Sequence, residues 1–150
     1  MNQEKIMKAK MVTAFIMFFA ALAGLFVMIG LYVDKSKEVQ DTYKAKYKQN
    51  LEEAVDEIDT YLKDENDFEI RYNMMISDLG AARNMVFLID GYTDEQKTIN
   101  ELHYCYVKYP EQMKDKLKDT KTALTDIIKD LDKGYDEADE IVESVDKLGN

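Results

Sequence analysis

Hydrophobic and polar positions follow two different rules along this chain. From Met11 to Val33 no charged residue interrupts the apolar run. From Asp34 onward apolar residues return at every third or fourth position, between acids and lysines. The first rule describes a helix that is apolar all round; the second describes amphipathic helices with one face to cover.

The periodic part divides into four predicted helices, about 34–63, 67–90, 94–108 and 111–148. In the first, Val39, Tyr43, Tyr47, Leu51, Val55, Ile58 and Leu62 share a face, and no breaker separates it from the apolar run, so one helix is expected to continue to about Lys63. In the second, Phe68, Tyr72, Met75, Leu79, Ala82, Val86 and Ile89 alternate steps of four and three, and Asp90-Gly91 ends the run. Asn66 with Glu69, and Thr93 with Gln96, have the spacing of capping boxes. Ile99, Leu102 and Tyr106, with Val107 at the margin, line the third helix, which should stop near Lys108 because Tyr109 precedes Pro110. The fourth keeps a seven-residue pattern through Met113, Leu117, Thr120, Leu124, Ile127, Leu131, Gly134, Ala138, Ile141, Val145 and Leu148, with Ile128, Tyr135 and Val142 widening the stripe. Gly134 reads as a weak point where a long helix bends, because glycine costs about 1 kcal/mol against alanine there.

These stripes need cover. Short connections at 64–66 and 91–93 make sequential helices antiparallel neighbours. The expected fold is therefore all-α: one N-terminal transmembrane helix continuing into an antiparallel three- or four-helix bundle or coiled coil, with four helices if Pro110 is a turn and three if it is a kink. At about 1.5 Å per residue the last helix would reach roughly 55 Å against about 36 Å for the second. That excess implies a partner or a second copy.

The apolar run separates an anchor from a signal peptide. A basic flank and a small-residue site, Ala21-Leu22-Ala23 before Gly24, fit a cleaved signal, but cleavage would leave nine apolar residues at the new N-terminus. The full run spans about 34 Å, enough for a bilayer core, with Tyr32 placed for the interface. The expected organisation is a basic cytoplasmic tail (1–10), a retained membrane helix (11–33) and an acidic helical body (34–150). Lysines beyond the span argue for the body inside. The N-terminal basic tail, and the ease with which long C-terminal domains translocate, place it outside. Ala20 and Gly24 form a small-xxx-small pair, through which membrane helices can pack closely.

Charge narrows the partners. The formal charge is −10; residues 1–10 contribute +2 (Lys5, Lys8 and Lys10 against Glu4) and the apolar run none, which leaves −12 on 34–150. Nucleic acids and anionic lipid surfaces reward the opposite sign. The partners expected are the membrane and, through the helices, another protein or a homo-oligomer; no nucleic acid is expected.

Little in the sequence points to chemistry. The single histidine and single cysteine, His103 and Cys105, would point about 200° apart on a helix, which prevents a shared metal or a nucleophilic pair. Cys105 reads as a small buried apolar residue and His103 as a boundary residue. No Glu-x-x-His motif, calcium loop, phosphate loop or nucleophile elbow is present, and the acidic runs 52–59 and 136–140 read as solvated helix faces. No catalytic, cofactor-binding or metal-binding residues are expected. The local oddity is aromatic: Tyr104, Tyr106 and Tyr109, with Tyr92, cluster near Pro110, and together with Ile128, Tyr135 and Val142 they form the candidate interaction surface.

Two functions fit this pattern. One is a non-catalytic, membrane-anchored, extracytoplasmic interaction or scaffold module. The other is a ligand-sensing bundle acting through a membrane partner. The layout resembles the extracytoplasmic half of bacterial four-helix-bundle receptors in architecture, without a shared motif and without a second membrane helix or output domain in the sequence. Short spanin-like and division-type membrane coiled coils share the single anchor.

Overall fold

The computed structural model describes residues 2–63 and 67–147. All secondary structure among them is helical, in six helices: α1 (Asn2–Lys63), α2 (Phe68–Val86), α3 (Thr93–Lys108), α4 (Pro110–Lys114), α5 (Leu117–Lys129) and α6 (Tyr135–Glu143). The chain falls into two compact units, Met1–Val39 and Gln40–Asn150.

The first unit is helix alone. Its apolar segment has a mean hydropathy of 2.6, and none of it is buried. By length and composition α1 could cross a membrane.

The second unit has one core. Tyr47, Leu51, Ala54 and Ile58 of α1 are buried there, with Tyr43, Val55 and Leu62 half-buried beside them. The predicted α2 face is buried from Tyr72 to Ile89, with Phe68 half-buried. Ile99, Leu102, Cys105 and Tyr106 of α3 join it, whereas Val107 is exposed. α1 and α2 run in opposite directions: Arg71 pairs with Glu57 at 2.9 Å near one end, and Gln40 bonds the backbone of Leu88 and Asp90 near the other.

The helix ends differ from the predicted caps. Asn66 lies outside the described residues, and the residue before α2 is Asp67, in left-handed geometry at φ 62°. Thr93 does not cap α3. Tyr92 occupies that position without a side-chain bond, and Gln96 donates instead to the Val86 carbonyl at the end of α2. α2 stops at Val86 rather than near 90, and a turn containing Gly91 at φ 84° follows.

Pro110 is a turn. The Tyr106 hydroxyl donates to Thr120 Oγ1 at 2.6 Å, whereas fourteen residues of unbroken helix would hold their backbones about 21 Å apart. Proline opens α4 at a position whose N–H has no helical partner, and the preceding Tyr109 has left helical geometry (φ −125°, ψ 55°).

The single long helix expected over 111–148 is instead three helices. α6 doubles back, so that Gln112 exchanges two hydrogen bonds, at 3.0 and 2.8 Å, with the backbone of Asp146. Gly134 makes the reversal. It sits at φ 85°, and a Cβ there would meet the Ala123 carbonyl oxygen at 2.5 Å and Ile127 Cγ1 at 2.8 Å. Only glycine combines that conformation with that approach. The reversal also removes the predicted uncovered excess of helix four, because Ala138, Ile141, Val142 and Val145 are buried in the same core.

Candidate interaction surface

The seven residues proposed as one surface occupy three environments. Tyr106 is fully buried; it donates to Thr120, and its carbonyl accepts from the Tyr72 hydroxyl at 2.7 Å. Val142 is also buried and Ile128 half-buried, both among the core residues. Tyr106 and Val142 are thus excluded from a free surface by the periodicity that placed them there: each lies on its helix's apolar stripe, and the core covers that stripe.

A second group centres on Tyr135 and Tyr92, both half-buried. The Tyr135 hydroxyl lies 3.1 Å from that of the buried Tyr47, joining α6 to α1. Desolvation, then neighbouring acids, raise the Tyr92 hydroxyl above its ordinary range. Lys44 sits 5.7 Å from the Tyr92 ring centre. Tyr135 thus links two elements of the core through its hydroxyl, while Tyr92 packs half-buried against that core.

The third group is open to solvent. Tyr104 is 46% exposed and Tyr109 half-buried, with their rings edge to face at 6.3 Å. Lys108 lies over both rings and donates to the Tyr104 hydroxyl at 2.7 Å. The pair is therefore already engaged by a lysine of its own helix.

His103 and Cys105 lie as their directions require. Cys105 is buried, and burial pushes its thiol up. His103 packs over Gly80 of α2, where a Cβ would come within 3.1 Å of Nε2. Burial first, then the charge of Arg83, hold its imidazole below the usual value. Among the described residues no three His, Cys, Asp or Glu side chains are grouped to hold a metal. An open groove of about 430 Å³ between α5 and α6 is lined by Lys116, Asp119, Glu137 and Glu140.

The distribution of charge over the helices is uneven. Every exposed residue of α6 is an acid: Asp136, Glu137, Asp139, Glu140 and Glu143. The exposed residues of α2 are Glu69, Ile70, Asn73, Met74, Ser77 and Asn84, with a single charge among them. Sequence reading missed this face because the stronger inner stripe defined the helix. The signal was present as a shortage of charge, since only Glu69, Arg71, Asp78 and Arg83 are charged in the 19 residues of α2.

Ala20 and Gly24, the small-xxx-small pair, are both exposed, and a Cβ on Gly24 would meet nothing within 4 Å. No protein-family model, curated protein or solved structure matches this chain.

Proposed function

We propose that this chain is a single-pass membrane protein. In this reading residues 11–33 span the bilayer, 1–10 remain in the cytoplasm, and 34–150 form an extracytoplasmic antiparallel helical bundle. The bundle acts as a non-catalytic interaction or scaffold module.

The observation carrying this reading is the exposure of the apolar run, whose large exposed side chains range from 43% at Val33 to 77% at Tyr32. Each such side chain left in water forgoes about 1.5–3 kcal/mol of burial. Over the run this amounts to tens of kcal/mol, more than the ~5–15 kcal/mol that holds a domain folded. Lipid removes that penalty without any further protein surface.

Alkaline carbonate extraction followed by flotation tests the anchor: the full-length chain should stay with the lipid. Recovery of a chain shortened at its N-terminus in the aqueous fraction would overturn it. For orientation, Asn100→Cys, at an exposed α3 position, should react with an impermeant maleimide on intact cells. Labelling only after the membrane is opened would place the body inside.

The sensor reading has less behind it. The gap between α1 and α2 beside Glu57, Tyr61 and Tyr72 holds about 10 Å³, room for one water at most. The α5–α6 groove is open, and its lining mixes Asp119, Glu137 and Glu140 with Lys116, two hydroxyl residues and two apolar ones.

A further inference from the structure

We propose that the outer face of α2 is a self-association surface, on which a second copy of this chain docks through its own α2. The proposal rests on the membrane reading above for its local concentration, and on α2 for its geometry.

Ile70, Met74, Ser77, Ala81 and Asn84 follow one another at spacings of four, three, four and three, and Leu88 continues the series in the turn beyond the helix. This is the spacing of a helix-pairing seam. Ile70 is 58% exposed, and Met74 and Leu88 are each 44% exposed. No member of the seam is charged. The three charged residues of α2 other than Glu69 are directed toward neighbouring helices: Arg71 pairs with Glu57, Asp78 faces Glu53 and Glu57, and Arg83 stands by His103.

The occupant follows from charge and size. In a two-fold contact the same patch meets itself, so a charged patch repels its own copy. On a body of −12, α6 would oppose five acids to five, whereas the α2 seam opposes none. Small residues sit near the middle of the seam. Ser77 and Ala81 are small enough to allow close approach, and the exposed Ile70 and Met74 on one side and Leu88 on the other supply apolar area to bury. A bilayer surface fits less well, because helices that lie on membranes flank their apolar face with lysine and arginine, and the exposed residues of α2 include neither.

The contact is small. A helix of 19 residues offers a strip about 28 Å long and about 10 Å wide, hence about 300 Å² per copy, against the roughly 800 Å² per partner of a standard interface. Free copies in dilute solution should therefore stay apart, and copies confined to one bilayer should pair.

The test uses the full chain reconstituted in phosphatidylcholine vesicles and oxidised with copper phenanthroline. Ser77→Cys should give disulfide dimers if the helices pair in parallel, and a mixture of Ser77→Cys and Ala81→Cys chains should give them if they pair antiparallel. Thr122→Cys, exposed on α5, should crosslink several-fold less, and the wild type, whose only thiol is buried, sets the background. Adding Ser77→Glu to a chain carrying Met74→Cys should abolish its crosslinking with helix content unchanged. Crosslinking no stronger than at Thr122→Cys, in a chain that resists carbonate extraction, would overturn the self-association and leave the anchor standing. Quenching of a Met74→Trp chain by brominated lipid would give the face to the bilayer and overturn it too. If carbonate releases the chain, the anchor reading fails, and the same comparison of cysteines in concentrated solution decides the α2 contact by itself.

Discussion

Gly134→Ala changes one methyl group, and its effect has opposite signs in a helical hairpin and in the continuous helix that the sequence pattern alone describes. In a continuous helix, replacing an interior glycine by alanine stabilises by about 1 kcal/mol. In the hairpin, alanine must hold a left-handed conformation at φ 85°, at about 1–2 kcal/mol. Its Cβ must also displace the Ala123 carbonyl, 2.5 Å away, and the Ile127 backbone nitrogen, 2.9 Å away. Those atoms belong to the α5 backbone and cannot rotate aside, so α5 and α6 must separate, at the ~1–3 kcal/mol typical of overpacking. The expected loss is about 2–5 kcal/mol, a large part of a domain's ~5–15 kcal/mol. Gly91→Ala is the control, since Gly91 has nearly the same φ, 84°, with nothing within 4 Å of the new Cβ; it should lose only the conformational share. Urea unfolding of the detergent-solubilised full chain, followed by circular dichroism at 222 nm, gives both losses from the midpoint at constant slope. A Gly134→Ala midpoint at or above that of the wild type would refute the hairpin. Equal losses at the two glycines would refute the close approach.

Other substitutions probe the core and its charges. Tyr106→Phe leaves the Thr120 hydroxyl without its donor in a buried site and should cost about 1–3 kcal/mol by the same assay; adding Thr120→Val should recover part of it, because both polar partners are then gone. The depressed pKa of His103 means that the folded chain binds fewer protons than the unfolded one below about pH 6.5. Stability from this site should therefore be complete above that pH and fall as the pH drops through the folded pKa, and His103→Gln should flatten that slope in denaturation midpoints measured from pH 7.5 to 5. Asp78 has the opposite sign: desolvation, then Glu53 and Glu57, raise its carboxyl, so its ionised form weakens the fold above the folded pKa. Asp78→Asn should raise the midpoint at pH 7, with a gain that shrinks on acidification toward the unfolded value.

The inner faces were legible because helical periodicity reports burial directly. Tyr72, Met75, Leu79, Ala82 and Val86 were expected on one face and are all buried there, and the Tyr109-Pro110 pair gave the end of α3 at Lys108. The fourth segment misled for a definite reason. Ile127, Leu131, Gly134 and Ala138 keep the four-three-four spacing straight across the turn between α5 and α6, so a hairpin and a rod have the same periodicity. What differs is whether Gly134 sits at positive φ, and a lone glycine inside an apolar stripe is compatible with both. Pro110 was ambiguous in the same way until the Tyr106–Thr120 bond fixed the chain reversal.

The candidate surface was read from residue type, and type could not place it. Tyrosine serves cores and interfaces alike, and here Tyr47, Tyr72 and Tyr106 carry hydroxyl bonds through the core while Tyr104 faces solvent. Charge is the better guide in a chain this acidic, because a carboxylate on an exposed face repels any like-charged neighbour. A helix that lies on the surface with a single charge among its exposed residues is the exception that needs a cause. Helix propensity does not supply one, since lysine and glutamate would serve better than Asn73, Ser77 and Asn84 at exposed sites. Core packing does not either, because these side chains point away from the core. The self-association proposed above would supply one, since contact with an identical uncharged face requires no surface that the chain does not already possess.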